Sequence, residues 1–297
     1  MSTEQLTWID LDRPHRDELI ALGIHPLVVD DIMNGGQRTK VERYAEGVFF
    51  VFYRFHFAGS AQGRVLMTPI YLFVTPMRII TVHHGELEVI SEAKQRWQYL
   101  RTMAPATFGA LLHVILDSIV DSYFPLLDAI GDHVEQVEAD ILSGYQSQQW
   151  GHLIQLKRSL LELRRHVVPS REALNVVLRG DLLPIDVTTA THMQDVYDHV
   201  LRIVDTIDLH RDLLTAVLDV HLSIQSNRLN EIMKVMTIAS IILMVNSLIA
   251  GIYGMNFAHM PELAWPWGYP LAIGAMVVVS CSLLWYFYRR GWLRNQN

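Results

Sequence analysis

The charge-free apolar runs of this chain lie at its end. Residues 235–253 carry no charged side chain, and neither do residues 270–288. Each run is about 19 residues long. At ~1.5 Å per residue it reaches ~28 Å, close to the ~30 Å hydrocarbon core of a bilayer. Trp265, Trp267, Tyr269, Trp285, Tyr286, Tyr288 and Trp292 flank or end the runs. The pattern predicts two membrane-spanning helices with aromatic residues at both interfaces. Upstream, no glycine occurs between Gly180 and Gly251, and no proline between Pro184 and Pro261. A helix of roughly 65 residues, ~100 Å long, is therefore expected to feed the first span. Along it Val196, Val200, Ile203, Ile207, Leu214, Val217 and Ile224 recur at heptad-like steps, interrupted by His210 and His221. The stripe resembles a coiled-coil seam, and predicts a stalk helix packed against other helices or other copies of the chain.

The rest of the pattern is mixed. Residues 6–11, 47–57, 66–74 and 78–82 have the β-branched and aromatic content of strands. Residues 25–33 and 86–101 read as helices. Residues 107–142 read as a helix with Asp117, Asp121, Asp128, Asp132, Glu135 and Glu138 on its polar side, and residues 148–178 as a helix rich in Arg and Lys. A basic helix beside acidic ones is ordinarily a solvated or salt-bridged face. The fold class that follows is an α+β cytosolic domain, a long stalk helix and two transmembrane helices. The expected domains are residues 1–104 (α/β), 105–231 (helical stalk region), 232–291 (pore domain with an external loop at 254–269) and 292–297 (basic tail).

Charge sharpens this picture. The 297 residues carry a formal net charge of -7, which gives no electrostatic reason to bind nucleic acid. After Glu231 the only acidic residue is Glu262. Arg228 and Lys234 precede the first apolar run, Arg289, Arg290 and Arg294 follow the second, and the loop between them has no Lys or Arg. The positive-inside rule places both termini in the cytoplasm and the loop outside. Residues 1–5 lack a basic-then-apolar export signal. Cys281 is the single cysteine, so neither an intrachain disulfide nor a cysteine metal site can form. No phosphate loop, nucleophile elbow or His-Glu-x-x-His is present, which leaves an enzyme the least supported class. His83-His84, at a strand end, reads as structural.

The candidate chemistry lies in the first span. Met233, Thr237, Ser240, Met244, Ser247, Gly251 and Gly254 fall at alternating steps of four and three, all small, hydroxylic or Met. Small residues at this spacing serve tight helix packing. They equally suit a ring of helices exposing hydroxyls and backbone to a water-filled channel, with Met rings as constrictions that gate by dewetting. Asn246 lies mid-span and needs a partner or a cavity; the sequence leaves both directions open. At the lip of the span, Tyr253-Gly254-Met255-Asn256 presents a neutral amide on a glycine-containing turn, well placed to meet an ion.

These residues resemble the CorA family of divalent-cation channels. The likeness runs through Asn230-Glu231, Met233-Lys234, Ala250-Gly251-Ile252-Tyr253-Gly254-Met255-Asn256-Phe257, Met260-Pro261-Glu262-Leu263 and Trp267-Gly268-Tyr269-Pro270, then a basic tail ending around Trp292-Leu293. In the N-terminal part it includes Gly23-Ile24-His25-Pro26-Leu27, Asp30-Asp31-Ile32 and Asp195-Val196-Tyr197-Asp198-His199. The resemblance implies a funnel-shaped homopentamer whose first span lines the pore and whose second span surrounds it. It implies that Asn256, with the Gly254 carbonyls, forms the outer selectivity ring, and that Asn230, Met233, Met236, Met244, Ser247 and Gly251 line the pore. Tyr253, Met255, Met260, Pro261, Glu262 and Leu263 would belong to the external loop. Asp31 and Asp195 of neighbouring subunits, with Asp30, Asp117 and His199 nearby, would bind regulatory Mg2+ and close the pore. Ser247 stands where threonine is common, and Val245-Asn246 replaces a usual Pro-Leu. The implied cargo is Mg2+, with Co2+ and Ni2+ beside it, in a prokaryotic inner membrane and without nucleotide. The alternatives are a Zn2+ or other transition-metal transporter on the same fold, and a non-conducting, membrane-anchored regulatory protein.

Overall fold

The computed structural model describes residues 6–57, 64–103, 107–142, 149–180, 182–183, 185–256, 260–261 and 265–292. The chain divides into two compact units, Met1–Val217 and Leu218–Asn297.

In the first unit, β1 (Thr7–Asp12), β2 (Lys40–Arg43), β3 (Val48–Phe57), β4 (Val65–Thr75) and β5 (Arg78–His83) form one sheet in the order β1-β5-β4-β3-β2. Strands β2 to β5 pair antiparallel, each with the next. β1 joins β5 in parallel, with Thr7 opposite Arg78 and Asp12 opposite His83. Residues 48–53 of β3 are all buried, so this central strand is covered on both faces and reads as an unbroken apolar run. The four expected strands are β1, β3, β4 and β5, and the two expected short helices are α2 (Pro26–Asn34) and α3 (Glu88–Met103). Helix α1 (Arg16–Ala21) and strand β2 were not anticipated. Both are too short to show a period, and β2 reads Lys-Val-Glu-Arg, with one apolar residue.

The expected helix over 107–142 is two helices, α4 (Phe108–Asp121) and α5 (Phe124–Leu142). Pro125 has no N–H for the Asp121 carbonyl, so the ladder cannot continue through it. Tyr123, at the break, is buried and donates its hydroxyl to the Tyr53 carbonyl at 2.6 Å, tying the corner to the sheet. α6 (Gln149–Leu178) continues through Pro169, carried by a buried face that includes Leu153, Leu156, Leu160, Leu163, Val167, Leu174 and Val177. Its Arg164 pairs at 2.8 Å with Asp208 of α7 (Val187–Tyr253), not with the acidic helix before it.

The heptad-like stripe of α7 is in-chain core as far as Val217. Val196, Val200, Ile203, Ile207, Leu214 and Val217 are buried inside the first unit, which corrects the expectation of a coiled-coil seam there. Two glycines permit the close approach. A Cβ at Gly109 of α4 would overlap the Thr189 side chain, and one at Gly131 of α5 would lie 3.1 Å from Cε1 of His210. His210 therefore fits into the stripe it interrupts in sequence.

The second unit holds the rest of α7 and the helix α8 (Gly268–Arg289). The two expected spans fall within α7 and α8, and α7 ends at Tyr253 as the sequence predicts.

Candidate cation pathway and metal centre

Within the second unit, one side of α7 is covered and the other is bare. Ile238 is buried, and Ile241, Ile242, Val245, Asn246, Ile249 and Tyr253 are half-buried. Asn230, Met233, Met236, Thr237, Ser240, Met244, Ser247, Gly251 and Gly254 are all exposed. At ~100° per residue the two sets occupy roughly opposite sides of the helix. Asn246 belongs to the covered side: its Nδ2 donates to Ser280 Oγ of α8 at 3.0 Å. The Thr237 hydroxyl donates to the Met233 carbonyl at 2.7 Å, leaving its lone pairs outward.

At the end of α7 the Gly254 N–H still bonds the Ala250 carbonyl at 2.9 Å, and the Met255 N–H bonds the Ile252 carbonyl at 3.3 Å. Asn256 lies just beyond this last turn and is exposed. The final carbonyls of a helix lack i+4 donors and form the negative end of its dipole. The amide of Asn256 thus sits where the backbone already favours a cation. Met260 and Pro261 are described; Glu262 and Leu263 lie outside the described residues.

The second group of candidates lies in the first unit. Asp117 and Asp121 of α4 and His199 of α7 bring ligand atoms within 4.8 Å of one another. His199 Nδ1 is 3.0 Å from Asp121, and its Nε2 is 3.9 Å from Asp195, an exposed residue one turn away. Asp117 is buried, contrary to its expected place on a polar face, because Arg96 of α3 reaches it at 2.6 Å. Burial, and then the Asp117 charge, push the Asp121 carboxyl above the usual carboxylate range. Beside them burial holds the His113 imidazole below its ordinary value, and the His192 ring lies 5.0 Å away. Excess negative charge at Asp117 and Asp121 favours a cation. Two carboxylates and an imidazole suit Co2+, Ni2+ or Zn2+, whereas Mg2+ takes carboxylate oxygens and keeps several waters. Asp121 and Arg96 were missed as site residues. The two i,i+4 pairs, Asp117 with Asp121 and Asp195 with His199, signal the cluster in sequence; Arg96 gives no such signal.

Asp30 and Asp31 of α2 are not members of this cluster within one chain. Arg16 pairs with Asp30 at 2.6 Å, and Lys40 with Asp31 at 2.7 Å, while Gln37 donates to Asp31 at 2.9 Å. His83 is held in the sheet by Asp10 at 3.2 Å and the Gly85 carbonyl at 2.7 Å.

A packed α/β unit is thus joined to two helices that are long and apolar enough to cross a membrane and are left bare on most of their surface, the make-up of a membrane protein. The chain matches the family model described as CorA-like Mg2+ transporter protein over residues 3–289. It belongs to that family, and is a membrane metal-ion transporter. It is 37% identical over 293 residues to the cobalt/magnesium transport protein CorA of Thermotoga maritima, covering 97% of this chain and 83% of that one. The solved structure of the CorA magnesium transporter from Methanocaldococcus jannaschii has a TM-score of 0.85 and 25% identity, covering 97% of this chain and 92% of that one. The zinc transport protein ZntB of Yersinia enterocolitica is 21% identical, covering 98% of this chain and 89% of that one.

Proposed function

We propose that this chain is the subunit of a homopentameric pore that carries Mg2+, with Co2+ and Ni2+ as further cargo, into the cytoplasm across the inner membrane. Both termini are cytoplasmic. Residues 1–104 and 105–231 form the cytosolic part, 232–291 the pore domain with its external loop at 254–269, and 292–297 the basic tail. The observation that carries this reading is the bare stripe of α7, hydroxyls, methionines and glycines on the side away from its Ser280 contact, ending at Gly254 and Asn256.

Mg2+ dehydrates reluctantly. A ring of Asn256 amide oxygens and Gly254 carbonyls hydrogen-bonds to the ion's waters without stripping them, and releases it faster than a carboxylate ring would. Met244 and Met233 supply apolar constrictions, Thr237 and Ser240 supply polar surface between them, and Ser247 supplies it beyond Met244. The membrane potential drives the ion: a divalent cation gains about 4.6 kcal/mol per 100 mV, twice the ~2.3 per charge. Closure follows from Mg2+ binding between subunits at Asp31 and Asp195, with Asp30, Asp117 and His199 nearby. Carboxylates brought together across an interface repel until a divalent ion joins them, so the ion's binding energy favours the closed state. Lys40 on Asp31 and Arg16 on Asp30 must then give way to the ion.

Mg2+ influx into liposomes, read by a trapped fluorescent indicator, is expected to be lost in Asn256→Ala. Selective influx at the wild-type rate in that variant overturns the filter. A second reading, a Zn2+ or other transition-metal transporter, is favoured by the carboxylate–imidazole cluster at Asp117, Asp121 and His199. Competition of Mg2+, Co2+, Ni2+ and Zn2+ for the same influx separates the two. Single-channel recording separates both from a non-conducting membrane anchor.

A further inference from the structure

We propose that Asn246 is a positioning residue for ion conduction: its contact with Ser280 sets the rotation of α7 about its axis, and so keeps Met244, Ser247 and Gly251 turned toward the ion. This rests on the reading that the bare side of α7 lines the pore.

Three observations carry it. First, Asn246 and the stripe are in antiphase. Asn246 lies on the covered side and donates to α8, while Met244 and Ser247, on either side of it in sequence, are exposed. A rotation of α7 that lifts Asn246 from Ser280 necessarily turns Ser247 by the same angle.

Second, the remainder of the covered side is aliphatic, Ile238, Ile241, Ile242, Val245 and Ile249, as far as Tyr253 at its end. In a bilayer such a face gains little from any one orientation, because lipid tails are as apolar as the neighbouring helix. A polar pair does distinguish orientations, since the hydrocarbon offers an amide no other partner.

Third, the Asn246 amide depends on this contact. Its Oδ1 is buried with no partner among the described residues. Reversing the amide would let Oδ1 accept from the Ser280 hydroxyl but would leave Nδ2 without an acceptor. Ser280 serves one end of the amide in either assignment, so losing it leaves both ends without a partner among the described residues.

The test uses the full chain in liposomes. Cys281→Ala removes the single cysteine, and Ser247→Cys then reports access to a membrane-impermeant thiol reagent. Adding Asn246→Leu is expected to slow labelling at position 247 and to lower Mg2+ influx by ~3- to ~20-fold, the range that an interhelical hydrogen bond supports in membranes. Ser280→Ala should do the same, and combining the two should add little. The exchange pair, Asn246→Ser with Ser280→Asn, should restore both readouts, which a generally loosened hairpin would not show. Unchanged labelling and influx in Asn246→Leu and Ser280→Ala overturn the positioning role. If Asn246→Leu does not assemble, Ser280→Ala and the exchange pair decide by the same criteria. If position 247 escapes the reagent in the parent while that parent still carries Mg2+, the pore reading itself fails, whatever Asn246 does.

Discussion

Two regions of this chain are apolar enough to cross a membrane, and they have opposite fates. Phe108–Ile141, which contains α4 and most of α5, and the spans in α7 and α8 are all long and apolar enough. The most apolar stretch of Phe108–Ile141 is 67% buried inside the protein, whereas the corresponding stretches of α7 and α8 are 6% and 11% buried. The first lies against β3 and carries carboxylates paired across helices, as Asp117 is with Arg96. The other two have apolar side chains facing outward, with one amide–hydroxyl contact between them. Hydropathy therefore measures a need for apolar surroundings. Whether protein or lipid meets that need depends on what the fold brings to the helix.

Matched truncations break or sharpen this contrast most directly. Leu116→Ala in α4, at a residue 0% exposed, should destabilise the full-length protein by about 2–5 kcal/mol. Leu271→Ala in α8, at a residue 52% exposed, should cost less than about 0.5 kcal/mol in detergent. Unfolding temperatures of the two variants give the comparison. An equal loss at Leu271 would mean that another copy of the chain, not lipid, covers that face of α8.

Next in size is the buried carboxylate. Arg96→Ala leaves Asp117 without its cation, at a cost on the order of 3 kcal/mol, and adding Asp117→Asn should recover most of it. If Arg96→Ala leaves the unfolding temperature unchanged, Asp117 is wetter than its burial implies.

A smaller effect follows from pH. Burial alone would lower His83, but the Asp10 carboxylate, the Gly85 carbonyl and Asp12 hold it above its ordinary value. Burial alone would raise Asp10, but His83, Lys94 and Thr81 bring it to about 2. The His83 contribution to stability is complete below the unfolded value of ~6.5 and is lost as pH rises through the higher folded value. The Asp10 contribution is present above the unfolded value of ~3.9 and disappears as pH falls through about 2. Asp10→Asn should flatten the loss of stability between neutral and alkaline pH. A wild-type slope in that variant would exclude the pair as its source.

The smallest effect on stability is expected at Asp195, whose side chain is 67% exposed. Asp195→Ala should change stability by less than about 0.5 kcal/mol, yet combined with Asp31→Ala it should raise the internal Mg2+ concentration needed for closure. Inhibition that keeps its concentration dependence in the double variant would remove these aspartates from the sensor.

Much of this protein was legible in its sequence because the relevant quantities are local. Apolar length set the two spans, the lack of glycine and proline set the unbroken α7, and β-branched and aromatic runs set β1, β3, β4 and β5. The alternating steps from Met233 to Gly254 marked the stripe that is bare in the folded chain. Tertiary structure decided the rest, since each remaining feature joins residues far apart in the chain. The corner at Ser122–Tyr123 follows from Pro125 together with the Tyr123 contact to Tyr53. The heptad stripe of α7 became in-chain core because Gly109 and Gly131 let α4 and α5 approach it. Arg96, on another helix, turned Asp117 from an expected surface charge into a buried one. Asn246 had two directions open in sequence, toward a cavity or toward a helix. The position of Ser280 chose between them, because a buried amide goes where a hydrogen-bond partner is, and no local pattern says where that will be.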